Sequence, residues 1–428
     1  MARLSRTRGC NPLTSVPELK SEGRKIGRVL SLDAMRGVAA FVVVVYHALG
    51  VAPQTAFTGW QWWLPELTAW LVHFGYAGIY LFFVISGFCI HLHWARARAA
   101  GVAQPTINFY AFWKRRVRRL YPPYLAALAL YVGYNAYQTP PHLSAFYLWD
   151  VGLHLLMLHN LDLRTTYSIN GAFWTLAIEE QLYLAYFLLL YLRIRYGWAR
   201  TLAVCAAARV GWLVLGRAVV YFYGLQIPVT EAAATNWFIW ALGALSVEAA
   251  LGVVRLPEWC YKWWAGAGAL IVAMGLALGL PYVNHLVWIH DPGWLLMHPA
   301  WGVGFFVLVN GAVRAEQRRR ALSRRASRIV VGLAALGLIS YSLYLTHLFV
   351  LMQWYWFGFT QFHIRTIALV IMTPLSVLFA WLFFRLFERP FMAASVGMGA
   401  LPRTISSSGN GGHISQPPPE RVSDPAAV

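Results

Sequence analysis

Arg36 and His47 stand eleven residues apart in an apolar run that begins SLDAMRGVAAFVVVVYH. On a helix of about 3.6 residues per turn, eleven steps make three turns plus roughly 20°, so the two side chains share a face. At about 1.5 Å per residue they lie ~16 Å apart, about half the hydrocarbon thickness of a bilayer. An alcohol is a poor nucleophile until its proton is removed, and histidine, with a reference pKa of about 6.5, is the side chain best matched to that task. A buried structural histidine is the plainer role for His47. The arginine on the same face favours chemistry, with the histidine either as a general base or as a nucleophile.

Three further constellations carry charge or nucleophilic groups inside apolar segments. In INGAFWTLAIEEQLYL, Glu179 and Glu180 are adjacent, so their side chains diverge by about 100°. Carboxylates within a span are costly. Glu179 is expected to face a cavity and Glu180 to pair elsewhere. In SYSLYLTH, Ser340 and His347 share a face, with Tyr344 on the turn beside His347. In FWKRRVRRLYPPY, Arg116 and Arg119 share a face if the stretch is helical, and paired guanidinium groups suit phosphate. Membrane anchoring accounts for most of the neighbouring cations.

Ser86 and Gly87 interrupt a bulky run and admit the close approach of a helix or a ligand chain. His91 and His93 form an HxH with no further ligands placed to help, so no metal site is expected. Arg385 and Glu388, at i and i+3, are expected to form a structural pair.

The elements that must position these residues are membrane helices. Of 428 residues, 59% are hydrophobic and 12% charged, against roughly 25% charged in a soluble domain. That excludes a soluble globule with one core. The net charge of +19 is carried between apolar segments, so an anionic leaflet is the expected partner rather than nucleic acid. About ten spans are expected, near 35–51, 74–93, 121–138, 173–193, 201–224, 235–253, 263–280, 293–313, 331–351 and 366–388. The fold expected is an all-α polytopic membrane protein without a soluble domain. Residues 1–29 form a basic cytoplasmic head without a signal peptide, 30–393 the transmembrane domain, and 400–428 a Ser-, Gly- and Pro-rich disordered tail.

Lys and Arg crowd the segments 94–120 and 314–330 and are absent from 52–73 and 281–292. That alternation points to an inner membrane with both termini cytoplasmic and the 139–172 loop outside. Its HLLMLHN stretch is expected at the interface. Cys10, Cys89, Cys205 and Cys260 all fall on the cytoplasmic side of this arrangement, so no disulfide is expected.

The motifs LDAMRGVAA…H (32–47), FFVISGF (82–88), RRVRRLYPPY (115–124), FWTLAIEEQLY (173–183), SYSLYLTH (340–347) and FERP (387–390) occur in one order along most of the membrane part. In this the chain resembles the membrane acyltransferase family three, the integral-membrane O-acyltransferases. Met35 departs from the commoner Leu and conserves volume. The resemblance implies transfer of an acetyl or other short acyl group from acyl-coenzyme A, used as co-substrate with no permanently bound cofactor. The acceptor would be a hydroxyl of a polysaccharide, a lipid-linked sugar or a small natural product. It implies catalytic roles for His47, Glu179 and His347, and an acyl-coenzyme A site at Arg36, Ser86, Arg116 and Arg119. Two other readings stay open: the same chemistry on a diffusible molecule at the cytoplasmic side, and a proton-coupled transporter using the same buried charges.

Overall fold

The computed structural model describes residues 29–51, 74–138, 144–225, 227–283, 292–318, 324–353 and 368–392. Every regular element among them is helical. The basic head, the tail and Cys10 lie outside the described residues.

Helix α1 spans Leu30–Val51. Its first N–H groups have no carbonyl one turn back, and the Glu316 carboxylate takes their place, accepting from Leu30 and Ser31 at 2.9 and 2.8 Å. A 3-10 turn at Gly75–Ala77 leads into α2, Gly78–Ala99. Then come α3 (Phe109–Gln138), α4 (Ala145–Leu155), α5 (Trp174–Tyr223), α6 (Ala233–Ala250), α7 (Trp263–Val283) and α8 (Pro292–Gln317). α9 (Arg324–Leu338), α10 (Ser340–Gln353) and α11 (Thr373–Phe383) close the order, α11 lying between π-helical turns at Ala368–Met372 and Phe384–Glu388.

Three boundaries differ from the sequence expectation. The third helix was expected to begin at the Tyr121-Pro-Pro-Tyr run, yet α3 starts at Phe109 and carries Pro122 and Pro123 inside it. Phe112 packs against Tyr183, Tyr186 and Phe187 of α5 and holds the basic stretch helical before the prolines. The expected 331–351 span is two helices bent by 72° at Ile339. The expected fourth and fifth spans, 173–193 and 201–224, are both present, but no loop separates them: they run on as Trp174–Tyr223 through a kink at Gly197, whose φ of 76° glycine adopts without strain.

Five helices are long and apolar enough to cross a membrane, or six when the bent pair counts as one span. The expected ten are not reached among the described residues. α5 merges two of them, and α3 carries Lys114, Arg115, Arg116, Arg118 and Arg119 in its first half.

Two crossings bring backbones into contact. A Cβ on Gly87 would overlap the Trp240 carbonyl, and one on Gly243 the Val84 carbonyl, so α2 and α6 meet glycine to glycine. Gly37 of α1 and Gly337 of α9 meet in the same way. Gly87 is thus a packing residue and its neighbour Ser86 faces elsewhere.

The Gly197 break is held by a buried carboxylate. Glu248 accepts from Arg193 Nε and Nη2 at 3.1 and 2.7 Å, and from Trp198 Nε1 at 2.9 Å. His91 Nε2 lies 2.9 Å from Oε1, the oxygen that also accepts from Arg193 Nε. Each donor offsets part of the cost of burying the charge, and this network is the role His91 occupies.

Candidate active site

A cavity of about 140 Å³, partly open to the outside, is lined by α1, α2, α3, α5, α10 and the π turn after α11. Five of the seven residues expected to have a site role line it together: Arg36, Ser86, Arg116, Arg119 and Glu179. Two helices, α1 and α3, bring the three guanidinium groups to one space. Among the described residues none of the three makes an ion pair within 4 Å. The Arg116 guanidinium instead lies over the Phe112 and Tyr183 rings, at 5.5 and 5.6 Å from their centroids. Cations that share one cavity without a close ion pair among the described residues are suited to an anionic ligand such as phosphate.

Deeper in, Glu179 Oε1 accepts from Ser86 Oγ at 2.6 Å and from Tyr183 Oη at 2.5 Å. Ser86 Oγ accepts in turn from Trp240 Nε1 at 3.2 Å. Both bonds fall on Oε1, so Oε2 keeps its acceptor capacity toward the cavity. Glu180 does not pair elsewhere as expected. It is buried against α3, and neither of its carboxylate oxygens has a hydrogen-bond partner among the described residues.

Unlike its neighbour, then, Glu179 is hydrogen-bonded and faces open space. Glu179→Gln is expected to lower kcat/KM at least about tenfold by disturbing a positioned carboxylate. Glu180→Gln is expected to leave activity within about threefold and to raise the melting temperature, because it removes a buried ionisable group without hydrogen-bond partners among the described residues, at constant shape. Parallel kinetics and thermal melts in detergent check both, and equal kinetic losses would erase the distinction.

The histidines form a second centre. His347 Nε2 lies 3.1 Å from His47 Nδ1 although 300 residues separate them in sequence. His347 Nδ1 reaches the Leu343 and Tyr344 carbonyls at 3.0 and 2.9 Å. A nitrogen facing carbonyls must carry the proton, so His347 Nε2 is an acceptor in the neutral ring. His47 Nδ1 then has two acceptors in reach, His347 Nε2 and the Val43 carbonyl at 3.0 Å, and carries its own proton. The pattern assigns the remaining lone pair of His47 to Nε2, which no protein hydrogen bond engages among the described residues. His347 is fully buried and His47 half-buried. The pair is thus built for one free basic nitrogen on a ring whose tautomer is fixed from behind.

Arg36 and His47 were expected on one face of the first helix, yet the cavity that Arg36 lines includes neither histidine. The side chain in contact with His47 Nδ1 is His347, a pairing the sequence did not suggest. Glu388, expected to pair with Arg385, instead accepts from Ser342 N at 3.2 Å and Ser342 Oγ at 2.5 Å and lines the cavity. Arg385 lies 4.9 Å over the Trp381 ring. The π-helical turn inserts an extra residue and takes the i, i+3 positions out of register.

Tyr183, Trp240, Thr175 and Cys89 were not singled out in the sequence as site residues. Tyr183, four residues after Glu179, was open to detection by helical spacing. Trp240 carries no such signal.

A family model described as an acyltransferase domain matches residues 29–385. The chain is 27% identical over 183 residues to Peptidoglycan O-acetyltransferase OatA of Listeria monocytogenes, which is 39% of this chain and 25% of that protein. It is 26% identical over 266 residues to Acyltransferase MdmB of Streptomyces mycarofaciens, 58% of this chain and 63% of that protein. The chain therefore spans less than two thirds of either relative. No solved structure matches it.

Proposed function

Because the chain belongs to this acyltransferase-domain family, we propose that it moves an acetyl or other short acyl group from acyl-coenzyme A, held in the cavity, to a hydroxyl of a cell-surface glycan or lipid-linked sugar. One observation carries the reading: three guanidinium groups, none in an ion pair within 4 Å among the described residues, converge on a cavity whose Tyr344 wall lies beside a histidine pair with one free basic nitrogen. The likeness to an enzyme named for peptidoglycan O-acetylation supports a glycan acceptor.

In this reading the chain sits in the inner membrane with both termini cytoplasmic, and coenzyme A enters from the cytoplasm. Arg36, Arg116 and Arg119 hold its phosphates. The pantetheine arm runs past Ser86 and Glu179 toward the histidines. His47 Nε2 takes the acceptor's hydroxyl proton as the oxygen attacks the thioester carbonyl. The C–O bond forms, the C–S bond breaks, and the leaving thiolate takes up a proton to give free coenzyme A. The desolvated surroundings keep water from competing as nucleophile.

The test is product formation by purified protein in detergent, with radiolabelled acetyl-coenzyme A and a soluble glycan acceptor. Acetylated glycan is expected without any ion gradient. A protein that leaves acetyl-coenzyme A untouched in detergent, yet moves solute across vesicles under a proton gradient, would be a carrier instead.

A further inference from the structure

The cavity and the histidine pair are adjacent but not joined. Tyr344 stands between them. Its ring lines the cavity and lies 5.8 Å, centroid to centroid, from the His347 ring. Its hydroxyl is 2.6 Å from Thr175 Oγ1 and donates to the Ala172 carbonyl at 2.9 Å. Thr175 Oγ1 lies 3.1 Å from the same carbonyl; with one proton on each hydroxyl, Thr175 donates to the Tyr344 oxygen while Tyr344 donates to the carbonyl. The edge of Phe82 meets the Tyr344 ring at 6.1 Å. Two hydroxyls and one carbonyl, from α10 and the start of α5, thus close the inner end of the cavity. Tyr344 and Thr175 are both buried.

A thioester lying against Glu179 cannot touch His47 while this closure stands. We infer that Tyr344, latched by Thr175, is a positioning residue that gates the passage between the donor cavity and the histidine pair. It must swing aside for each acyl transfer, and its closed state keeps the thioester from water on the acceptor side. The inference rests on the acyl-transfer reading for what passes through, but not for the barrier itself. The Tyr344 carbonyl is also one of the acceptors that fix the His347 tautomer. The gate and the base are therefore parts of one helical turn, and displacement of the ring is coupled to the orientation of the base.

Cys89 supplies a native reporter, since its thiol is exposed and lines the cavity on the far side of Tyr344 from the histidines. The test uses the full chain in oriented proteoliposomes with Cys10, Cys205 and Cys260 replaced by serine. A small membrane-impermeant thiosulfonate is applied from one side at a time. With Tyr344 present, Cys89 is expected to react from the cytoplasmic side and hardly at all from the other. Tyr344→Ala is expected to raise the rate from the acceptor side more than tenfold and leave the cytoplasmic rate unchanged. Thr175→Val, which keeps the side chain's shape, gives a smaller rise in the same direction and covers the case of a Tyr344→Ala protein that does not fold. Tyr344→Phe, which keeps the ring, restores most of the barrier.

A second readout is acetyl-coenzyme A hydrolysis without acceptor, expected to rise severalfold in Tyr344→Ala as transfer falls. Equal labelling from the acceptor side with and without Tyr344, in folded protein, would overturn the gate. A chain with no acyl-coenzyme A turnover in any variant but with the labelling pattern above would keep the gate and remove the proposed cargo.

Discussion

His47→Ala is expected to abolish transfer while leaving the protein folded and able to bind acetyl-coenzyme A. Positioned general bases are worth about 10²–10⁴ in rate, and here the base has no substitute in the histidine pair. His347 cannot take over, because its Nδ1 is held on backbone carbonyls and its Nε2 points at the ring that has been removed. His347→Ala is the informative contrast. It leaves the Val43 carbonyl to hold the His47 Nδ1 proton, so the tautomer survives and the loss is expected to be about 10- to 100-fold. Steady-state kinetics together with equilibrium binding of a nonhydrolysable coenzyme A thioester separate the two variants. Near-normal turnover in His47→Ala would remove the proposed mechanism. Acyl label trapped on His47 without acceptor would replace base catalysis by a covalent carrier.

Removal of the cationic lining should act on the donor alone. The Arg116→Ala, Arg119→Ala double variant is expected to raise the donor KM about 100-fold or more. Each charge-assisted hydrogen bond to phosphate is worth ~1.5–3 kcal/mol, and about 1.4 kcal/mol is a factor of ten. The acceptor KM should stay within about threefold, because neither arginine lies near the histidine pair. Uniform binding lost in this way leaves kcat at saturating donor largely unchanged. Salt gives an independent check: raising ionic strength should weaken donor binding in the native chain and have little effect on the double variant. An unchanged donor KM in a correctly inserted double variant would reduce both arginines to membrane anchors.

Much of this site was legible from spacing. Arg116 and Arg119 share a face because α3 is helical where they sit, and Glu179 diverges from Glu180 as a 100° step requires. The cost of a charge in a membrane marked Arg36 and Glu179 before any contact was known. The contact between His47 and His347 was beyond spacing, since no periodicity links residues 300 apart. The resemblance to a family named both histidines without pairing them.

Glu388 was misread for a local reason, since a π turn breaks the helical register on which an i, i+3 argument depends. The position of Tyr344 was hidden because its helix follows a 72° bend at Ile339, where the sequence reads as one uninterrupted span. Gly337, which sits against α1 just before that bend, is its nearest sequence cue.

The cavity wall begins at Arg36 and is completed by Glu388, more than three hundred residues later. Biogenesis inherits that separation. A nascent chain emerging from the ribosome inserts α1 first, but the Glu388 contribution arrives only after the last helices have entered the bilayer. Until then the arginines line an incomplete cleft, Ser342 lacks its carboxylate partner, and α10 is without the π turn that holds its first residues. The complete cavity is therefore a property of the whole set of helices, and no fragment that lacks the last of them carries it. Two halves expressed separately and divided at the basic 318–324 connection would regain activity only by reassociating in the membrane.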